Sequence, residues 1–140
     1  MPHLPRPLMQ FFNDAIYFIL RGRRFSGLPL LRLTTVGARS GEHRRSTLGY
    51  FEESPTAWII IGSAGGAAKH PAWVYNVARH PDQVWVQLSN GSRQIKVRPE
   101  TLTGEERAAM WRRIVAVAPG YAAYETKTDR QIPLVRLVPA

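Results

Sequence analysis

Arginines, hydroxyl side chains and glycines are concentrated in one short segment of the sequence, residues 34–50 (TTVGARSGEHRRSTLGY). A turn bracketed by Gly37 and Gly41 exposes backbone N–H groups, and Arg44 and Arg45 follow it closely. The N–H groups of such a turn bind oxyanions, and a guanidinium group does so through two parallel hydrogen bonds. The segment therefore predicts a binding site for a phosphate or a polycarboxylate.

A second group of candidate residues occupies positions 61–76 (IGSAGGAAKHPAWVYN), after an apolar run typical of a buried strand. Its glycines allow the backbone to turn sharply or to approach a flat ligand, and Ser63 places a hydroxyl at the strand end. Pro71 suits the first turn of a short helix, whose free N–H groups attract anions. Trp73 and Tyr75 add aromatic surface. The alternative is an ordinary glycine loop capped by a helix.

Two tyrosines form the third candidate group. Tyr121 and Tyr124 are three residues apart, so they share one face wherever the local chain is helical. Their rings can line a pocket, and their phenol groups can donate hydrogen bonds. The alternative is that both rings pack half-buried in a loop.

Several kinds of chemistry have no support in the sequence. There is no cysteine, which excludes disulfides and thiolate chemistry. The four histidines lack metal-ligand spacing, so no metal site is predicted. The sequence contains no G-x-S-x-G elbow, no Walker loop and no G-x-G-x-x-G fingerprint. Serine hydrolysis, nucleotide hydrolysis and Rossmann-type dinucleotide binding are therefore disfavoured.

Length and charge set the remaining bounds. The chain has 140 residues and a net charge of +9, which fits a single domain over residues 1–140 with a loose arm at residues 1–8. A basic chain favours nucleic acid, an anionic membrane surface or an acidic small molecule as its partner, and an ordinary solvated basic surface is the alternative. No apolar run is long enough to span a bilayer, and the first residues lack a signal-peptide pattern. A cytoplasmic location is the default.

The pattern of apolar residues predicts an α+β fold in which strands dominate. An amphipathic helix is expected from Met9 to Phe25, a short helix after Pro71, and a third helix at residues 103–117 with a capping box formed by Thr103 and Glu106. The predicted strands are residues 30–36, 45–52, 58–63, 83–89, 92–98 and 132–138, with the Asn90-Gly91 pair forming a hairpin turn. Such an order favours a mostly antiparallel sheet that closes into a small barrel.

The first helix has two interpretations. Its apolar residues recur at helical spacing and three arginines lie near its end, at Arg21, Arg23 and Arg24. It can pack on the core, or it can lie as a basic amphipathic element on an anionic membrane, which would place the protein at the inner face of the cell membrane.

Taken in order, the three candidate segments resemble the deazaflavin-dependent nitroreductase family, also known as the F420H2-dependent quinone reductases. The resemblance runs from about Leu31 to Leu137 and rests on LTTVGARSGEHRRSTLGY, IGSAGGAAKHPAWVYNVARHPD and PGYAAYETKTDRQIPLVRL. It implies a split β-barrel like that of FMN-binding proteins. It also implies coenzyme F420, a deazaflavin joined through ribitol and a phosphate to a lactate-glutamate tail, and hydride transfer to a quinone or a nitroaromatic compound.

The resemblance also assigns expected roles to individual residues. Arg39, Ser40 and Gly41 would hold the phosphate and tail, with Arg44 and Arg45 close by. Ser63, Tyr121 and Tyr124 would act at the reacting ring and acceptor. The remaining walls of the cofactor site would come from Ser46, Thr47, Leu48, Tyr50, Ile61, Gly62, Ser63, Ala64, Lys69, Ala72, Trp73, Val74, Tyr75, Asn76 and Tyr121.

Two alternatives to this assignment were open at the level of sequence. A basic small barrel with exposed aromatic residues can bind single-stranded nucleic acid. Such a protein has no need for the glycine-rich residues 61–76, called the glycine segment below, so no nucleic-acid partner is expected. A split barrel can instead bind a flavin such as FMN. One departure from the family pattern concerns the anion site itself, because Glu42 and His43 stand where family members often carry basic residues.

Overall fold

The computed structural model describes residues 24–25, 27–88 and 93–140. Their strands pair throughout in antiparallel fashion, in the order β1-β2-β3-β4-β7-β6-β5, and β5 pairs back onto β2. This last pairing closes six strands into a barrel. The strands are β1 Arg24–Phe25, β2 Leu28–Val36, β3 His43–Ser54, β4 Ala57–Ile61, β5 Trp85–Gln87, β6 Ile95–Thr101 and β7 Leu134–Pro139.

Three α-helices and one 3-10 turn connect these strands. Helix α1, Ala72–Arg79, follows the 3-10 turn Ala64–Gly66 and packs on β2, while helices α2, Gly104–Val117, and α3, Gly120–Thr126, precede β7. None of the helices among the described residues is long and apolar enough to cross a membrane.

Strand β4 explains how the core is divided. All five of its residues are buried, and successive side chains point to opposite faces of the sheet. Ile60 belongs to the cluster inside the barrel, with Leu31 and Leu33, whereas Ile59 packs in a second cluster together with residues of helices α2 and α3. Both faces of β4 are therefore covered, which accounts for its uninterrupted apolar sequence. The glycine segment starts directly at the end of this rigid strand.

The structure confirms the predicted antiparallel barrel, its six main strands and the helix over residues 103–117, with shifts of a few residues at their ends. The prediction of helix up to Phe25 was wrong at its end, because Arg24–Phe25 pairs as a strand with Leu28 and Pro29. The rest of that helix, the loose arm and the Asn90-Gly91 turn lie outside the described residues.

The prediction that Thr103 and Glu106 form a capping box was wrong. Thr103 directly precedes helix α2, yet its side chain makes no capping hydrogen bond. The first helical residue, Gly104, has a φ of +57°, so the chain enters the helix through a left-handed residue that does not align the Thr103 hydroxyl with the first turn. Glu106 reaches outward to Arg136 instead, at 3.3 Å.

Arg136 and Glu53 form a two-point ion pair across the sheet. The Arg136 Nε and Nη2 atoms donate to the two Glu53 carboxylate oxygens at 2.7 and 2.9 Å. The two side chains are only 15% and 20% exposed. Hydrogen bonding to Arg136 lowers the pKa of Glu53 below its usual range, and Glu53 in turn raises the pKa of Arg136.

We expect this pair to make stability depend on pH. Because the pKa of Glu53 is lowered on folding, its contribution is fully present above the unfolded carboxyl pKa of about 4.3 and is lost as pH falls through the lower folded value. Urea unfolding of wild type and Glu53→Gln should differ by about 1.5–3 kcal/mol near neutral pH, and by less in acid. The exposed neighbour in Glu52→Gln is the control, and equal pH dependence in both variants would contradict the assignment.

Candidate active site: a cleft between strand β3, the glycine turn and helix α3

All three segments singled out from the sequence meet at one cleft of about 470 Å³. Strand β3 forms one wall, the turn after β4 and the start of α1 form a second, and α3 contributes two aromatic rings. The lining residues are Ser46, Thr47, Leu48, Gly49, Ile61, Ser63, Ala64, Gly65, Pro71, Ala72, Trp73, Tyr121 and Tyr124.

The tyrosine pair lies edge to face in this cleft. The ring centroids of Tyr121 and Tyr124 are 5.5 Å apart and their planes are perpendicular, a favourable arrangement for two aromatic rings. Burial, together with Tyr124, raises the pKa of Tyr121 to about 12. The Tyr121 phenol therefore keeps its proton at physiological pH and acts as a hydrogen-bond donor. Both tyrosines lie on helix α3, so their spacing of three residues places them on one face.

The glycine turn, residues 64–66, has three consecutive left-handed residues, of which Ala64 and Gly65 line the cleft. Ala64, Gly65 and Gly66 have φ values of +46°, +64° and +83°. A Cβ on Gly65 would meet nothing within 4 Å, so that residue borders open space in the cleft. A Cβ on Gly66 would instead lie 2.9 Å from the Lys127 Cβ and 3.0 Å from the Tyr124 carbonyl oxygen. Gly66 is thus needed for the turn to pack against helix α3.

The loop before β3 is less open to an anion than its sequence predicted. The Gly37 N–H donates to the Glu42 carbonyl at 2.7 Å, and the Gly41 N–H donates to the Gly37 carbonyl at 3.0 Å. The Ala38 N–H donates to Asn76 Oδ1 at 2.9 Å, and the Glu42 N–H to Ser40 Oγ at 3.2 Å. The prediction that N–H groups of this turn are exposed to bind a ligand was wrong for these four residues, because the turn uses them to close on itself and on α1.

Arg44 is placed differently from Arg45. Side chains alternate along a strand, so Arg44 lies on the same face of β3 as Ser46 and Leu48, and Arg45 lies on the same face as Thr47; residues of both faces line the cleft. Arg44 is the less exposed of the two arginines. Two residues of a strand span roughly 7 Å, so Arg44 lies just beyond the end of the cleft. Its Nη2 atom is 3.0 Å from a carboxylate oxygen of Glu42 and 3.4 Å from Ser40 Oγ.

Other residues expected at the site serve the surrounding structure. Tyr50 is buried in the barrel core, and Val74 packs against that core. Asn76 is buried, accepts from the Ala38 N–H and donates through Nδ2 to Thr35 Oγ1 at 3.1 Å. It therefore joins helix α1 to the end of β2 and to the loop between β2 and β3, called the arginine loop here. Arg39, Ser40, Gly41, Gly62, Lys69 and Tyr75 do not line the cleft, and of these only Gly62 is buried.

Sequence reasoning missed two kinds of site residue. Gly49 lines the cleft through its backbone, and a glycine within a β-strand gives no separate signal of this. Arg130 was overlooked as well. It bonds to residues 60 to 68 positions away, a relation that no local pattern contains.

The closed antiparallel barrel places the chain in the split-barrel fold class. Within that class, a model of the F420H(2)-dependent quinone reductase family matches residues 17–139. The chain therefore belongs to the F420H2-dependent quinone reductase family. Members of this family are oxidoreductases that use reduced coenzyme F420.

Individual proteins show the same relation. The F420H(2)-dependent quinone reductase of Mycobacterium tuberculosis strain H37Rv is 32% identical over 132 residues, 89% of this chain and 86% of that protein. The solved structure of an F420-H2 dependent reductase, FDR-A, is 37% identical with a TM-score of 0.67, and the match covers 78% of this chain and 93% of that one. A solved domain-swapped dimer is 32% identical with the same TM-score, 0.67, covering 93% and 98%.

The residues of the cleft fit this cofactor. Trp73, Tyr121 and Tyr124 supply apolar surface for a flat ring, and the open space next to Gly65 lets such a ring approach the backbone. Arg44 supplies positive charge just beyond one end. The family assignment also decides against the two alternatives left open by the sequence, a nucleic-acid-binding barrel and an FMN-dependent reductase.

Proposed function

We propose that the cleft holds the deazaflavin ring, and that the loop of residues 39–45 holds the phosphate and glutamate tail. The observation that carries this proposal is the position of Arg44, on the strand face that continues into the cleft through Ser46 and Leu48. A planar redox ring with an anionic tail needs an apolar slot that opens onto positive charge. Strand β3 provides both, with the cleft wall at residues 46–49 and Arg44 near its start.

When bound, the reduced deazaflavin supplies a hydride. Its transfer would break a C–H bond of the reduced cofactor, which is oxidised, and form a C–H or O–H bond on the quinone. The quinone, reduced by two electrons, would become a hydroquinone on taking up one proton. Because the pKa of Tyr121 is about 12, we infer that Tyr121 orients the acceptor by donating a hydrogen bond and keeps its own proton. The proton then comes from solvent. The apolar walls around Trp73 keep competing water away from the reacting atoms.

A planar aromatic acceptor suits the two tyrosines. We infer that quinones, and nitroaromatic compounds of similar shape, stack at the edge-to-face pair of Tyr121 and Tyr124. The test is to mix the purified protein with reduced coenzyme F420 and menadione, and then with a nitroaromatic compound, while following the deazaflavin absorbance. Oxidation no faster than in the protein-free control would refute the proposed function.

Membrane contact stays a prediction of the sequence. The segment from Met9 to Phe25 lies almost wholly outside the described residues. If it lies on anionic lipid at the inner face of the membrane, a cytoplasmic enzyme could take quinones directly from the bilayer. Flotation with anionic liposomes, compared between the full chain and a chain lacking residues 1–23, is the measurement. Equal flotation of the two would contradict the prediction.

Glu42 is expected to weaken binding of the cofactor tail. Its carboxylate lies 3.0 Å from Arg44 Nη2 and competes there with any incoming phosphate or carboxylate. An exposed ion pair contributes about 0.2–1 kcal/mol, so Glu42→Gln should tighten F420 binding by up to roughly fivefold. A fluorescence titration measures this effect. The tail-less deazaflavin should show no change.

Glu52→Gln is the matched control for this variant, because it makes the same change in net charge at an exposed position further along β3. Equal tightening by both variants would mean that overall charge, and not the Glu42–Arg44 contact, governs tail affinity.

A further inference from the structure

All three nitrogens of the Arg130 guanidinium group make hydrogen bonds to the glycine segment, residues 61–76. Nε donates to the Ala67 carbonyl at 2.9 Å, Nη1 to the Gly62 carbonyl at 3.0 Å, and Nη2 to the Ser63 carbonyl at 2.8 Å. Nη1 also lies 2.9 Å from His70 Nδ1. One side chain from the segment after helix α3 thereby fixes the whole turn between β4 and α1.

The contact with His70 has a defined polarity. Arginine only donates hydrogen bonds, so Nδ1 of His70 is the acceptor and the ring proton resides on Nε2. Burial, and then the charge of Arg130, lower the pKa of His70, which keeps the imidazole neutral. His70 therefore completes the set of acceptors around the guanidinium group.

The carbonyl contacts of Arg130 determine the direction of the N–H groups that follow those carbonyls in the turn. In a trans peptide the C=O and the following N–H point in opposite directions, and the described residues contain no cis peptide bond. When the carbonyls of Gly62 and Ser63 face Arg130, the N–H groups of Ser63 and Ala64 face away from it. Ser63 and Ala64 both line the cleft.

These two N–H groups are available to a ligand. Within residues 24–25, 27–88 and 93–140, the turn's own hydrogen bonds use the N–H groups of Gly62, Gly66 and Ala67, and those of Ser63 and Ala64 make no hydrogen bond. A pair of adjacent N–H donors with a fixed cation behind their peptide groups favours an oxygen that carries negative charge.

We propose that Arg130 is a positioning residue that aims the N–H groups of Ser63 and Ala64 into the cleft as a donor pair for an anionic oxygen. The inference rests on the proposed function for the identity of that oxygen, which belongs either to the cofactor ring or to the acceptor as it is reduced. The alignment of the donors depends on the forked guanidinium group, because a single ammonium group cannot bond three carbonyls in this geometry.

The first test needs no cofactor. Amide hydrogen exchange, resolved by NMR, is compared between wild type, Arg130→Lys and Arg130→Met. We expect the exchange of the hydrogen-bonded Gly66 and Ala67 amides to be roughly tenfold faster in both variants, because the turn opens locally. The Ala118 amide, bonded to the Ile114 carbonyl at 2.8 Å, reports the rest of the fold and should not change. Unchanged exchange at Gly66 and Ala67 would overturn the proposal.

The second test separates positioning from stability. Arg130→Lys and Arg130→Met are expected to lower kcat with menadione by roughly 100-fold, the scale seen when one oxyanion donor is removed. The exposed Arg98→Met variant is the charge control and should retain wild-type kcat. In Arg130→Ala, added guanidinium ion at millimolar concentration should restore part of kcat, whereas urea should not. A wild-type kcat in Arg130→Lys, or equal effects of the two additives, would refute the positioning role.

A titration of the Arg130 variants with tail-less deazaflavin, compared with their kcat, identifies which molecule carries the oxygen. It also separates this inference from the proposed function. A matching loss of affinity for tail-less deazaflavin assigns the donor pair to the cofactor ring, and a loss of kcat at constant affinity assigns it to the acceptor. If the wild-type protein neither binds nor oxidises reduced F420, the proposed function fails. The exchange experiment still decides whether Arg130 holds the turn.

Discussion

Replacing Gly66 with alanine is expected to lower kcat for the F420H2-dependent reduction of menadione by roughly 10- to 100-fold. The new Cβ would lie 2.9 Å from the Lys127 Cβ and 3.0 Å from the Tyr124 carbonyl oxygen, a backbone atom that cannot yield alone. The glycine turn and helix α3 would have to move apart, and these two elements form facing parts of the cleft. Displacements approaching 1 Å at reacting groups cost about 100-fold in rate.

The left-handed backbone at Gly66 adds a separate loss of folding stability, which has to be distinguished from the effect of the steric contact. Gly66 has a φ of +83°, where alanine is disfavoured by about 1–2 kcal/mol. Gly104→Ala is the matched control, because Gly104 has a φ of +57° and a Cβ there would meet nothing within 4 Å. Both variants should lose similar amounts of thermal stability from the backbone, and only Gly66→Ala should lose kcat. Equal kcat in the two variants would contradict a role for the contact between turn and helix.

The fold was predictable where the sequence pattern is local. Alternating residues gave β2, β3 and β7, and the run of buried isoleucines gave β4. Helix α3 was not predicted as an element, because a seven-residue helix that begins directly after Pro119 carries strong breaker signals. It forms because Tyr121 is buried in the same cluster as Ile114 and Ala118, so packing outweighs local preference.

The site was predictable to the same extent. Tyr121, Tyr124 and Ser63 line the cleft as their motifs indicated, since each motif is a short run of sequence. The functions of Asn76 and Arg130 depend on partners that are 38 to 68 positions away. The same long-range bond explains why the arginine loop exposes fewer N–H groups than its glycines predicted: Asn76 of helix α1 takes the Ala38 N–H.

Arg44 and Arg45 are adjacent in the sequence, and the structure predicts that replacing them weakens F420 binding to different extents. Arg44→Met should weaken F420 binding by roughly 10- to 100-fold, because hydrogen bonds to charged groups contribute about 1.5–3 kcal/mol. The Arg44 side chain is 28% exposed and is held against Glu42 and Ser40 of the loop, whereas Arg45 is exposed on the opposite face of β3. Arg45→Met should therefore have a smaller effect, limited to long-range attraction that salt screens.

Titration of each variant with F420 at low and at high salt tests whether Arg44→Met loses more affinity than Arg45→Met. The loss in Arg44→Met should persist at high salt, because a direct contact to phosphate is only partly screened, and the loss in Arg45→Met should largely vanish. Arg98→Met removes the same charge from exposed strand β6 and sets the baseline for net charge alone. Tail-less deazaflavin should bind all three variants like wild type, because it has no anion for Arg44 to hold. Equal losses in Arg44→Met and Arg45→Met would show that the tail does not bind preferentially at Arg44, and the anion site would then have to be placed elsewhere on the loop.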